Sequence, residues 1–295
     1  MSGWVDGYRG AVNAWECDQF GHMNVQFYLG KSLDALAWTA AALGLGPKAA
    51  RERELALVPV ADRILFRREL RAGDGFHIRT AVRRADGKAL ALATEVVNSE
   101  TGELAAQLER EARVFDLAGR RFVDLPAEMR QTAAARNTPT NLQPPPPETP
   151  TAPAHDAAGL IDTSRGTFNQ WELDASGHAH LRFRMNAYTS AMPHLMAKIG
   201  FTTEAREEKG WGFAALDYKL AHLRPIKVGE PYEMRSGLYE LKDKTLRMVH
   251  HMVQSMTGEP LGSLEFVVAM FDLAARRTMP IPPEMRAKAE AMRIG

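Results

Sequence analysis

Asp18, Gly21 and His22 fall within one short stretch, Asp18-Gln19-Phe20-Gly21-His22, just ahead of a long apolar run. That grouping has a definite chemical capacity if the run is a helix. The first N–H groups of a helix have no partner within it and carry partial positive charge. A glycine lets another group approach the backbone closely. Such amides can receive a carbonyl oxygen and stabilise the negative charge it develops under attack. The Asp18 carboxylate is then placed to act as nucleophile or to activate a water, and His22 to hydrogen-bond the substrate or orient the loop. Together they suit acyl transfer to water. An ordinary aspartate, with a pKa of about 3.9, is a weak base, so partial burial would help it. Each residue also has a structural role open to it: Asp18 as a helix N-cap, His22 as a loop support, Gly21 as a turn former.

The same group returns. Trp15-Glu16-Cys17-Asp18-Gln19-Phe20-Gly21-His22 meets Trp171-Glu172-Leu173-Asp174-Ala175-Ser176-Gly177-His178, with five of eight positions identical. One fixed shift then holds to the end of the chain. Gly73 meets Gly229, Thr101-Gly102-Glu103 meets Thr257-Gly258-Glu259, and Glu128-Met129-Arg130 meets Glu284-Met285-Arg286. A repeat this long is a duplicated domain rather than a solenoid unit. Asp174, Gly177 and His178 therefore form a second candidate group.

Several elements must position these residues. In copy one, residues 8–16 read as a strand and residues 21–43 as a helix apolar on most faces, hence buried. Gly44, Gly46 and Pro47 stop it. Strand-like runs follow at residues 57–70, 76–84, 89–98 and 103–117, separated by turn signals such as Asp86-Gly87. The predicted fold class is α+β, with an antiparallel sheet wrapped around a central helix in each copy. Copy two repeats the order, with a helix near residues 183–199. Pro193 within it predicts a kink or a displaced start. Residues 131–158, containing Pro144-Pro145-Pro146-Pro147, read as a linker between domains at 1–130 and 159–295. Trp15 and Trp171 are expected to pack in the core. Arg110 and its neighbours in the last strand of copy one, residues 108–115, match a nearly all-apolar run in copy two, residues 264–271. Either the copies divide labour or these positions differ in exposure.

Bulk properties narrow the class. The chain has 295 residues, 45% hydrophobic content and a formal net charge of +1, which makes no case for nucleic acid or an anionic membrane as partner. No apolar run reaches membrane-spanning length, and the first residues lack a signal-peptide pattern. The single cysteine, Cys17, fits a reducing cytoplasm. Cys17 is matched by Leu173 and is expected to pack as a small apolar residue. His178-Ala179-His180 and His250-His251 lack the supporting ligands of a metal site, so none is expected. No Gly-x-Ser-x-Gly, phosphate loop or dinucleotide fingerprint occurs.

The stretch Asp18-Gln19-Phe20-Gly21-His22-Met23-Asn24-Val25-Gln26-Phe27-Tyr28-Leu29 resembles the Asp-x-x-Gly-His-Val/Met-Asn-Asn-x-x-Tyr-Leu signature of hotdog-fold thioesterases, in the 4-hydroxybenzoyl-CoA and acyl-ACP thioesterase branch. The resemblance implies two hotdog domains packed as an intrachain pseudo-dimer. It implies hydrolysis of an acyl thioester, usually of coenzyme A, with no cofactor beyond the coenzyme A of the substrate. It gives Asp18 the role of nucleophile or base, and gives His22 and nearby helix amides that of polarising the carbonyl. Asn24 belongs to the same motif. Copy two departs from it: His180 replaces Asn24 and Arg184 replaces Tyr28, so the Asp174 site is the one expected to have decayed. Asp34, within the helix, is a reserve acid. Arg67, Arg68, Arg110, Arg113, Arg224 and Lys227 are candidate contacts for coenzyme A phosphates. A hotdog hydratase and a non-catalytic acyl-CoA binder are the competing readings. The expected partner is a small-molecule acyl-CoA, in a cytoplasmic protein that forms neither membrane nor nucleic-acid complexes and is free to assemble with further copies of itself.

Overall fold

Each copy is built on one long helix of identical extent. Helix α1 spans Val25–Ala42, α2 spans Pro47–Arg53 and α3 spans Ala127–Ala135; their counterparts α4, α5 and α6 span Leu181–Lys198, Thr203–Lys209 and Pro283–Ala291. These come from a computed structural model that describes residues 3–137, 152–174 and 176–294. The chain divides into unit 1, Met1–Pro147, and unit 2, Glu148–Gly295.

In unit 1 the strands are β1 Trp4–Ala11, β2 Leu55–Phe66, β3 Gly75–Ala85, β4 Ala89–Asn98, β5 Leu104–Asp116 and the short β6 Arg121–Val123. They pair antiparallel in the order β1-β3-β4-β5-β2, with β6 on β5. Unit 2 repeats this with β7 Ile161–Gly166, β8 Trp211–His222, β9 Tyr232–Leu241, β10 Thr245–Gln254, β11 Pro260–Asp272 and β12 Arg277–Thr278, in the order β7-β9-β10-β11-β8. This is the α+β arrangement of sheet and central helix that the resemblance implies.

Helix α1 is buried along most of its length, from Phe27, Tyr28 and Leu29 through Ala35 and Leu36 to Ala40. Its close approach to the sheet depends on Gly7 in β1. A Cβ there would lie 2.6 Å from the Ala35 Cα, so only glycine fits. Its inner end joins a cluster with Leu43, Leu45, Val82, Leu90, Leu92, Val114 and Met129.

The structure corrects several expectations. The first strand ends at Ala11, not at residue 16. Residues 14–16 form a 3-10 turn closed by Asn13 and Glu16: the Asn13 amide donates to Glu16 Oε2 at 2.9 Å, and Asn169 repeats this with Glu172 at 2.8 Å. That turn breaks the strand alternation and throws Trp15 and Trp171 outward, both 76% exposed rather than in the core. Pro47 does more than stop α1. It begins α2, where a missing N–H costs nothing. Pro193 does not displace the start of α4, since Leu181 corresponds to Val25 in the repeat. The expected linker start at residue 131 falls inside α3, because Met129 and Ala133, one turn apart, dock into the core. Residues 138–151, including the four prolines, lie outside the described residues.

Candidate active site

The loop before α1 folds on itself through Asp18. The Asp18 amide donates to the His22 carbonyl at 2.8 Å, and the Gly21 amide to the Asp18 carbonyl at 3.0 Å. Gly21 takes φ +77°, and Gly177 in the second loop takes +79°, values that carry little cost only for glycine. Asp18 Oδ1 accepts from the Phe20 amide at 2.8 Å and the His22 amide at 3.3 Å. Asp18 is thus the brace of its own loop and not the cap of α1. Its other oxygen, Oδ2, accepts no hydrogen bond among the described residues. The side chain is half-buried.

The helix cap is Asn24, whose side-chain oxygen accepts from the Gln26 amide at 3.0 Å and whose carbonyl accepts from Phe27 at 2.9 Å. Between them, the Val25 amide finds no acceptor among the described residues. It is the first N–H of an 18-residue helix, at the positive end of the backbone dipoles. Asn24 is therefore a positioning residue that holds this amide at the helix start.

Reading of the sequence did not anticipate Glu69. His22 Nε2 lies 3.0 Å from Glu69 Oε2, and Arg71 lies 3.6 Å from the same carboxylate. Arg71 Nη2 also lies 3.4 Å from His22 Nε2; a carboxylate can only accept, so a hydrogen bond to Glu69 requires the hydrogen on Nε2, whereas one from Arg71 requires Nε2 to accept. The backbone supports this contact: His22 bridges Arg71, and the Met23 amide donates to the Leu70 carbonyl at 2.7 Å. Glu69 stands in the segment after β2, far in sequence from the loop, and no local spacing points to it.

The second loop has a different network. Asp174 is exposed, and its Oδ1 accepts from the Ser176 amide at 2.8 Å, the Ser176 hydroxyl at 2.5 Å and the His178 amide at 3.2 Å. Ser176 Oγ lies 2.8 Å from His178 Nδ1. Since the hydroxyl donates to Asp174, it accepts from His178 Nδ1. The place of Glu69 is taken by Pro225 and that of Arg71 by Lys227, which bridges His178 through the backbone. His180 caps α4 through Nδ1, accepting from Arg182 at 3.2 Å. Arg184 is buried without a carboxylate, donating to the carbonyls of Arg224 and Leu261, and burial lowers its pKa.

The candidate phosphate contacts fare unequally. Arg110 is deep in unit 1, its side chain 2% exposed and paired with Asp62 at 2.6 Å, so it is not a phosphate ligand. The contrast between the last strands has two causes: Arg110 and its counterpart Phe266 are both buried and differ in chemistry, whereas Arg113 is partly exposed where its counterpart Ala269 is buried. Arg113 is held by Glu111 at 2.8 Å. Arg67 and Arg68 are exposed, their amides both donating to the Ala105 carbonyl. Arg224 and Lys227 border an open cavity of about 550 Å³ with Val228, Gly229, Glu230 and Glu259. Glu230 and Glu259 both pair with Arg224, which leaves little of its charge for a phosphate. Asp34 is exposed on α1. Cys17 is half-buried, its sulfur 3.8 Å from the Asn13 carbonyl. Among the described residues no cluster of three metal-ligating side chains occurs, and no helix is long and apolar enough to cross a membrane.

Comparison with known proteins agrees with this geometry. Residues 12–132 and 168–289 each match the family described as the thioesterase-like superfamily. Betainyl-CoA thioesterase of Pseudomonas aeruginosa is 28% identical over 123 residues, covering 42% of this chain and 77% of that protein. Among solved structures, a putative oleoyl thioesterase from Lactobacillus plantarum matches with a TM-score of 0.73 at 12% identity, covering 94% of this chain and 97% of that one. An acyl-ACP thioesterase from Bacteroides thetaiotaomicron matches with a TM-score of 0.70 at 12% identity, covering 91% and 100%. The two family matches, one on each copy, show that the chain belongs to the thioesterase-like superfamily, as a thioester hydrolase made of two hotdog domains in tandem.

Proposed function

We propose that this protein hydrolyses acyl-CoA thioesters, and that unit 1 carries the reaction. The observation that carries this reading is the His22–Glu69 contact on the loop that Asp18 braces, a loop that leads directly into the Val25 amide at the start of α1. The Val25 N–H, at the start of α1, receives the thioester oxygen and stabilises the charge that builds on it. The unbonded Asp18 Oδ2 attacks the carbonyl carbon or takes a proton from an attacking water. The C–S bond then breaks, the thiolate of coenzyme A leaves and takes up a proton, and water supplies the oxygen of the acid product. Glu69 holds the His22 ring, which steadies the loop that Asp18 braces.

Coenzyme A is favoured as the leaving group by the betainyl-CoA relative, which matches in sequence over 123 residues. The test is thiol release from a panel of acyl-CoAs and the matching acyl carrier protein thioesters, with native protein and Asp18→Asn. Turnover of acyl-CoA that collapses in Asp18→Asn supports the reading. Turnover of the carrier-protein thioesters alone reassigns the substrate, and tight binding with no turnover makes the protein an acyl-CoA binder.

A further inference from the structure

The helix–sheet interior of unit 1 differs from that of unit 2 at three matched places, one on the helix and two on strands. Ser32, Asp62 and Arg110 in unit 1 stand where Tyr188, Tyr218 and Phe266 stand in unit 2. In unit 1 the three form a closed bridge from helix to sheet. Arg110 Nε donates to Asp62 Oδ1 at 2.6 Å, Nη1 to the Ser32 carbonyl at 3.2 Å and Nη2 to Ser32 Oγ at 2.9 Å. The Arg110 and Asp62 side chains are 2% and 0% exposed. One turn nearer the helix start, Tyr28 is buried with Phe66 edge-on against it, ring centres 5.3 Å apart. Val25, Tyr28 and Ser32 follow one another at i, i+3 and i+7, along one side of the helix. At about 1.5 Å rise per residue, Ser32 lies roughly 10 Å along the axis from the Val25 amide.

With the thioester carbonyl at Val25, an assignment that rests on the function proposed above, we propose that Tyr28 and the Ser32–Arg110–Asp62 bridge close the acyl subsite of unit 1 and limit it to short acyl groups. A long alkyl chain running along the inner face of α1 must part Arg110 from Asp62 and Ser32. That strips the buried Arg110 guanidinium of the carboxylate and hydroxyl that hold it, with no water to replace them. A short chain ends before reaching them. A floor of aliphatic side chains would yield to added methylenes by changing rotamers, whereas a buried guanidinium bonded through each of its three nitrogens cannot shift without breaking those bonds.

The test uses the full chain and thioether analogues of coenzyme A, S-butyl, S-octyl and S-dodecyl, titrated calorimetrically beside hydrolysis of butyryl-, octanoyl- and dodecanoyl-CoA. Affinity should level off after the short chain, and kcat/KM should fall at least tenfold from butyryl to dodecanoyl. The paired substitution Asp62→Leu with Arg110→Met removes both charges together and should extend the plateau to S-octyl, with the melting temperature checked alongside. Affinity that climbs steadily to S-dodecyl in the native protein, or a length profile unmoved by the paired substitution, overturns the proposal. A plateau without turnover of any thioester counts against hydrolysis alone and leaves the length limit standing; failure to bind every thioether overturns both.

Discussion

His22 and Glu69 meet at 3.0 Å across 47 residues of chain, and the matching pair in unit 2 does not exist because Pro225 stands in place of the acid. Among the described residues, the same duplicated loop thus has a carboxylate from beyond the loop behind its histidine in one copy only. A hydrogen bond to a charged group contributes about 1.5–3 kcal/mol, so its loss from the loop bracing the carboxylate proposed to react corresponds to roughly ten- to hundredfold in rate. Glu69→Gln is expected to lower kcat by that amount with KM little changed. A rate equal to that of the native protein would remove Glu69 from the site.

Asp18→Asn keeps the loop acceptor Oδ1 but replaces the unbonded Oδ2 with an amide. Turnover should fall by about 10²- to 10⁴-fold, the range of a lost general base, with the fold retained by circular dichroism. Asp174→Asn should cost less than tenfold overall. Asp174 already spends Oδ1 on three donors, is exposed, and lacks a counterpart to Glu69 behind its histidine. Equal losses in steady-state thiol release would make the two loops equivalent.

Arg110 tests how the interior of unit 1 is held. Removing one partner of a buried pair costs about 3–5 kcal/mol, because the other charge remains buried, while replacing both with apolar groups is close to neutral. Arg110→Ala alone should therefore lower the urea midpoint sharply. Asp62→Leu with Arg110→Met should restore most of it.

His250 sets a pH dependence in unit 2. Burial holds its pKa down at about 3, from an ordinary 6.5, and Ser236 Oγ sits 2.6 Å from Nδ1. At pH 7 the ring is neutral in the folded chain and mostly neutral in the unfolded one, so it contributes little slope. As pH falls from about 6 towards 3, the unfolded chain binds a proton that the folded chain cannot, so stability is lost by up to about 1.4 kcal/mol per pH unit. His250→Thr, which copies Thr94 of unit 1, should flatten this part of the stability curve between pH 4 and 7 in denaturant titrations. An unchanged slope would mean that other groups carry it.

The duplication, the α+β class and the loop bearing Asp18 and His22 were legible in the sequence alone. Repeat register, hydrophobic period and turn residues are local signals, and local geometry follows from them. Helix α1 and strands β2 to β5 appear within a few residues of where their patterns place them. The misplacements have local causes too: Asn13 with Glu16 makes a turn where alternation suggested more strand, and that turn exposes Trp15.

Which groups meet across the fold was not legible. Charge on Arg110 suggested a phosphate contact, yet strand pairing of β2 with β5 sets Asp62 opposite Arg110 and carries both under α1. Glu69 looked like one acid among many until the chain returned to lay it against His22. A side chain's type fixes which bonds it can make. Its partner is fixed only when distant segments come together, because electrostatic and hydrogen-bond energies depend on distances and burial that sequence spacing does not contain.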